Sequence, residues 1–139
     1  MRMMFLNSIT DGGDNRLRLN VCYAEGGPLP RQILGKHIDE ISKMPIEYKK
    51  VMHYEMLWDR YLTFAVRDET YASIDKSEVF AGQAVRRFTR SRLLSSLPNI
   101  IQTIDLLPAL PIHFGIYCLN HIVDVLAYEE PVVRELGES

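Results

Sequence analysis

Four residues near the C-terminal end have side chains that can do chemistry: His113, Cys118, His121 and Asp124. A thiol beside an imidazole is how a cysteine nucleophile is activated, since the imidazole takes the proton and pairs with the thiolate. An imidazole beside a carboxylate suits a base with its orienter, or two ligands of a metal ion. Whether either pair exists depends on how the stretch from Ile112 to Tyr128 folds. It is rich in β-branched and aromatic residues, and reads as one long strand or as a tight hairpin turning at Leu119-Asn120. The hairpin sets Cys118 opposite His121, Ile116 opposite Val123, Phe114 opposite Val125 and Ile112 opposite Ala127. It also sets Gly115 opposite Asp124, with His113 on the diagonal.

Neither pair is complete. Thiol catalysis also needs oxyanion donors and an orienting group. A zinc site needs a third protein ligand, and no spacing ties His37, His53 or Glu55 to His113. His53-x-Glu55 is not the His-Glu-x-x-His motif. The expectation is therefore a buried thiol and a His–Asp contact that holds a sheet, with no metal and no cofactor. Asp124 interrupts the apolar run Ile122, Val123, Val125, Leu126, and a place on the wet face of a sheet is the most economical account of it.

A second group is basic. Arg86, Arg87, Arg90 and Arg92 fall within seven residues, and Gln83 to Leu97 carries a charge of +4 with no acid. Pro98 to Ser139 carries −5. Arginine suits bidentate contacts with carboxylate or phosphate. The acidic segment offers partners within the chain or across a dimer, and the whole chain has a net charge of only −2. Nucleic acid is thus disfavoured, because neither a strong basic excess nor a recognition module is present. Tyr54 and Trp58, with Tyr61, form an aromatic stripe at helical spacing, suited to a core or an interface.

Several elements must position these groups. Arg16 to Tyr23 alternates, with Leu17, Leu19, Val21 and Tyr23 on one face. The cluster Asp11-Gly12-Gly13-Asp14-Asn15 precedes it, so Met3 to Ile9 pairs with it as an N-terminal hairpin. Pro30 opens an amphipathic helix ending near Met44, ahead of Pro45. A further helix is expected from Ile46 to Asp59, then a strand from Tyr61 to Arg67 and a polar loop from Asp68 to Lys76. Val79 and Phe80 read as strand, with Gly82 at its end. Gln83 to Leu97 reads as a helix stopped by Pro98, and Asn99 caps a short one through Leu107. Val132 and Val133, after Pro131, form a last edge segment. The sum is one α+β domain over residues 1–139: a single, mainly antiparallel sheet packed by three or four helices.

Length and composition agree with an ordinary folded domain: 139 residues, 47% hydrophobic and 24% charged. The N-terminus lacks the apolar stretch and cleavage site of a signal peptide, and no apolar run reaches the roughly 18 residues of a membrane helix. Cys22 and Cys118 read as free thiols, and the cytoplasm is the default compartment. The function expected is a non-enzymatic binding module, acting as a homodimer or on one protein partner, with Arg86, Arg87, Arg90, Arg92, Tyr54 and Trp58 at its surface. The alternatives are a small hydrolase-like or metal-assisted enzyme using His113 with Asp124 or Cys118 with His121, and nucleic-acid binding through the arginine helix.

Overall fold

The computed structural model describes residues 2–26, 48–68, 76–100 and 106–138. Among the described residues nine strands follow one another: β1 (Arg2–Asp11), β2 (Leu17–Gly26), β3 (Tyr48–Trp58), β4 (Tyr61–Asp68), β5 (Val79–Gly82), β6 (Val85–Arg90), β7 (Ile112–Tyr117), β8 (His121–Ala127) and β9 (Val132–Glu138). Two helical turns, α1 (Arg92–Ser95) and α2 (Leu97–Ile100), lie between β6 and β7. The strands form two antiparallel sheets, one in the order β1-β2-β3-β9 and the other β4-β8-β7-β6-β5.

The architecture is mostly β, and this corrects the expected α+β sheet packed by three or four helices. Tyr48–Trp58 is a strand, not a helix. The apolar stripe that suggested a helix also contains the two-residue alternation Tyr54, Met56, Trp58, and pairing with β2 on one side and β9 on the other selects it. Gln83 to Leu97 likewise opens with strand β6, whose partners are β5 and β7. The helix that ends ahead of Pro98 is only the single turn α1, capped at Ser96, and Pro98 itself lies in the first turn of α2, where its missing N–H costs no hydrogen bond. The helix expected from Pro30 to Met44 lies outside the described residues, as do parts of the Asp68–Lys76 loop and of the Asn99–Leu107 helix.

Other expectations hold. The N-terminal hairpin forms, with Gly13 (φ 79°) and Asn15 (φ 63°) taking the left-handed conformations its turn requires. A bulge between Leu6 and Ser8 shifts its register. The strands beginning at Tyr61 and Val79 and the edge strand from Val132 also form. The β7–β8 hairpin has the expected register at every pair from Ile112↔Ala127 to Ile116↔Val123.

The two sheets face each other across a shared apolar core. Leu17, Leu19, Val21, Met56 and Trp58 come from the first sheet, and Phe114, Ile116, Cys118, Val123 and Val125 from the second. Trp58 tilts against Phe114 with ring centroids 5.8 Å apart. The β7–β8 turn also closes the outer edge of β1. Asn120 accepts a hydrogen bond from the Leu6 amide through Oδ1 and donates to the Leu6 carbonyl through Nδ2, both at 2.9 Å. Leu119 N donates to the Met4 carbonyl at 2.8 Å. An asparagine side chain thus completes a strand edge that would otherwise expose unpaired backbone groups.

Candidate functional site

The β7–β8 hairpin is buried on both faces. Its inner face is the apolar one just described. Its outer face carries His113, Gly115 and Asp124, with His113 3% and Asp124 6% exposed. Asp124 therefore does not face solvent, and the expectation of a wet face is corrected. A carboxylate this deep must be partnered. His113 Nε2 lies 2.8 Å from Asp124 Oδ1, and Arg67 Nε donates to Asp124 Oδ2 at 3.0 Å. On the other side of the ring, His113 Nδ1 is 2.8 Å from Ser91 Oγ, and Ser91 Oγ accepts from the Leu94 amide at 3.1 Å as the N-cap of α1.

Leu94 N–H donates to Ser91 Oγ, and the two ring nitrogens of His113 are taken up by Ser91 Oγ on one side and Asp124 Oδ1 on the other, so each buried polar atom along this chain has a partner. The Phe88 ring stacks on the imidazole, 4.3 Å between centroids and 14° between planes. Gly115 makes room beside it, since a Cβ there would stand 2.8 Å from the Phe88 ring and 2.7 Å from that of Tyr117. Diagonal placement of His113 and Asp124 was legible in the sequence; Ser91 and Arg67 were not. Ser91 had one local signal, a serine three residues before Leu94 in a capping position.

A Ser–His–Asp set invites a catalytic reading, but Ser91 is 2% exposed and its oxygen already serves a helix cap. The serine also sits on Nδ1 and the carboxylate on Nε2, the reverse of the template in which Nε2 receives the serine proton. The set does border a cavity of about 410 Å³, whose wall includes Arg67, Glu78, His113, Tyr117 and Asp124.

Cys118 and His121 stand opposite each other as expected, joined by a bond from Cys118 N to the His121 carbonyl at 2.9 Å. The thiol belongs to the inter-sheet core, and burial pushes it up to about 12, with Cys22 adding a smaller repulsion. A thiolate is thus disfavoured where a nucleophile would need one. Both cysteines are free. Among the described residues, no three His, Cys, Asp or Glu side chains cluster as metal ligands would.

Arg86, Arg87 and Arg90 are placed by strand β6 rather than a helix, so neighbours point to opposite faces, while Arg92 opens α1. Arg86 lies on the outer face, its guanidinium 4.3 Å from the Phe80 ring centroid and 3.9 Å from that of Tyr117, with Nε donating to the Gln83 carbonyl at 2.8 Å. Arg87 lies on the inner side and pairs with Glu130. Arg90 and Arg92 are exposed at the α1 end. The continuous basic helix face on which the nucleic-acid alternative rested does not form. Trp58 is 1% exposed, buried under Phe114, so it is core rather than surface; Tyr54 is half-buried.

Sequence reading missed another concavity. A cleft of about 720 Å³ opens between the two sheets, floored by Val21, Met56 and Phe114 and flanked by Tyr54, with Arg86, Arg87 and Glu130 in its wall. Val85 forms one side and Val133 the other. The volume falls within the range of small-molecule sites. Gly82 shapes the β5–β6 end of the cleft: it has φ 97°, and a Cβ there would meet the Val85 carbonyl oxygen at 2.1 Å. Compared with known protein families, curated proteins and solved structures, the chain matches none. No helix among the described residues is long and apolar enough to cross a membrane.

Proposed function

We propose that this protein is a non-enzymatic binding module, and that its recognition site is the cleft between the two sheets. The observation that carries this reading is a large concavity with apolar walls and a charged pair in its wall, the pattern of a site that buries an apolar group and orients it with a few polar ones. Apolar residues continue onto the surface on both sides, with Val79 (53% exposed), Phe80 and Val85 on one and Val132 (68%) and Val133 on the other. Those lips suit the expected protein partner or second copy. The two free cysteines fit a cytoplasmic setting, which is part of the same proposal.

Titration with the neutral fluorophore N-phenyl-naphthylamine tests the cleft. Saturable binding that is lost when Ala84→Phe fills the wall supports the reading; binding that is non-saturable, or unchanged in the variant, overturns it. Light scattering at two concentrations, on the protein and on Val85→Glu, tests self-association, which a monomer throughout excludes.

A second reading, a hydrolase-like enzyme using His113 and Asp124, draws on the cavity beside them. Its test is ester hydrolysis by the protein and by His113→Ala, and equal rates in the two sink it.

A further inference from the structure

We infer that the occupant of the inter-sheet cleft is a single-chain anionic amphiphile, whose tail lies on the apolar floor and whose carboxylate takes Glu130's place on Arg87. This rests on the cleft being a binding site and adds the chemistry of its ligand. The floor of Val21, Met56 and Phe114 offers dispersion contact and no hydrogen-bonding side chain, so it suits an alkyl chain. The head group is decided by the charges in the wall. Arg87 pairs there with a single carboxylate, Glu130. The Arg86 guanidinium is held on the opposite face of β6 by the Phe80 and Tyr117 rings and the Gln83 carbonyl; its partners among the described residues are neutral, so it adds a positive field behind the wall rather than a contact within it.

Arg87 and Glu130 are not equally held. Arg87 belongs to β6, hydrogen-bonded to strands on both sides. Glu130 precedes Pro131 on the connection from β8 to β9 and is the more exposed partner, its side chain 66% accessible against 50% for Arg87. An ion pair this exposed is weak, because water and salt screen it. A carboxylate whose tail is already bound is presented to Arg87 at high effective concentration and displaces Glu130. A cationic ligand would have to displace Arg87, the anchored partner.

Dodecanoate and 1-dodecanol, titrated separately at concentrations below micelle formation and followed by the fluorescence of Trp58, test this. Trp58 is the single tryptophan and packs, tilted, behind the floor residue Phe114. The expected result is saturable dodecanoate binding that weakens about tenfold in Arg87→Gln, as loss of a charge-assisted hydrogen bond does. Glu130→Gln is expected to tighten it roughly two- to fivefold by removing the competitor. Dodecanol binding is expected to be unchanged in both variants, which also shows that the cleft is intact in them. Equal binding of acid and alcohol, indifferent to Arg87→Gln, overturns the head-group assignment while the cleft reading stands. Failure of both amphiphiles overturns the proposal, and if N-phenyl-naphthylamine also fails, the cleft reading falls with it.

Discussion

The two faces of the β7–β8 hairpin are equally deep and held by different physics. On the inner face Ile116, Val123 and Val125 are fully buried against the first sheet, with no polar group to satisfy. On the outer face Ser91, His113 and Asp124 are as inaccessible, yet they depend on a complete chain of donors and acceptors ending on Arg67. Apolar packing fails gradually, in proportion to the contacts removed. A buried polar chain fails abruptly, because removing one member strands another without water or partner. The same hairpin thus carries one face that tolerates small losses and one that does not.

The largest effect should come from breaking the outer chain at its centre. Asp124→Ala strands the buried His113 Nε2, leaves a cavity where the carboxylate stood and frees the half-exposed Arg67 guanidinium, and is expected to cost about 4 kcal/mol in urea unfolding. The double variant His113→Leu/Asp124→Leu should recover much of that loss; if it is as unstable as the single variant, the outer face is held by shape rather than by polar satisfaction. On the inner face Ile116→Ala is expected to cost about 3 kcal/mol, the transfer and cavity terms for a fully buried residue. A loss larger than that of Asp124→Ala would reverse the ranking of the two faces.

Gly115→Ala probes the outer face by volume alone. Its added methyl must push aside the Phe88 and Tyr117 rings, for an expected cost of about 1–2 kcal/mol. A neutral result would mean that these rings have slack and that stacking on His113 is not tight.

At neutral pH the smallest effect is that of the inner-face thiol, which shows only as a pH dependence in alkali. The Cys118 thiol ionises near 9.0 when unfolded and is pushed up to about 12 by burial when folded. Between these values the unfolded chain has lost the proton and the folded one keeps it. Stability is therefore unaffected below about pH 9 and falls as pH rises above it, with a limiting slope of about 1.4 kcal/mol per pH unit. Cys118→Ala should flatten that part of the stability–pH curve. A curve unchanged by the substitution would show that the thiol is not held dry.

Legibility in the sequence followed the range of the interactions. The N-terminal hairpin could be read because alternation and turn chemistry are local, with Asp11 to Asn15 supplying left-handed residues; the apolar alternation from Ile112 to Ala127 fitted a hairpin about Leu119-Asn120 or one long strand, and the structure selects the hairpin. Tyr48–Trp58 and Val85–Arg90 could not be read as strands. Their apolar residues fit both a 3.6-residue and a two-residue period, and the strands that decide between them, β2 with β9 and β5 with β7, include partners far away in the chain. His113 and Asp124 were legible as a pair because one hairpin holds both. Ser91 and Arg67 come from separate elements, so no spacing announced them.

By itself, then, the sequence determined the N-terminal hairpin and, once a turn is placed at Leu119-Asn120, the two faces of β7–β8. Only the tertiary structure decided that the outer face is buried, that the arginines divide between two faces of a strand, and that a cleft opens between the sheets. These depend on which distant backbone completes each strand's hydrogen bonds and which side chains then cover it, and that choice is made by the folded chain as a whole.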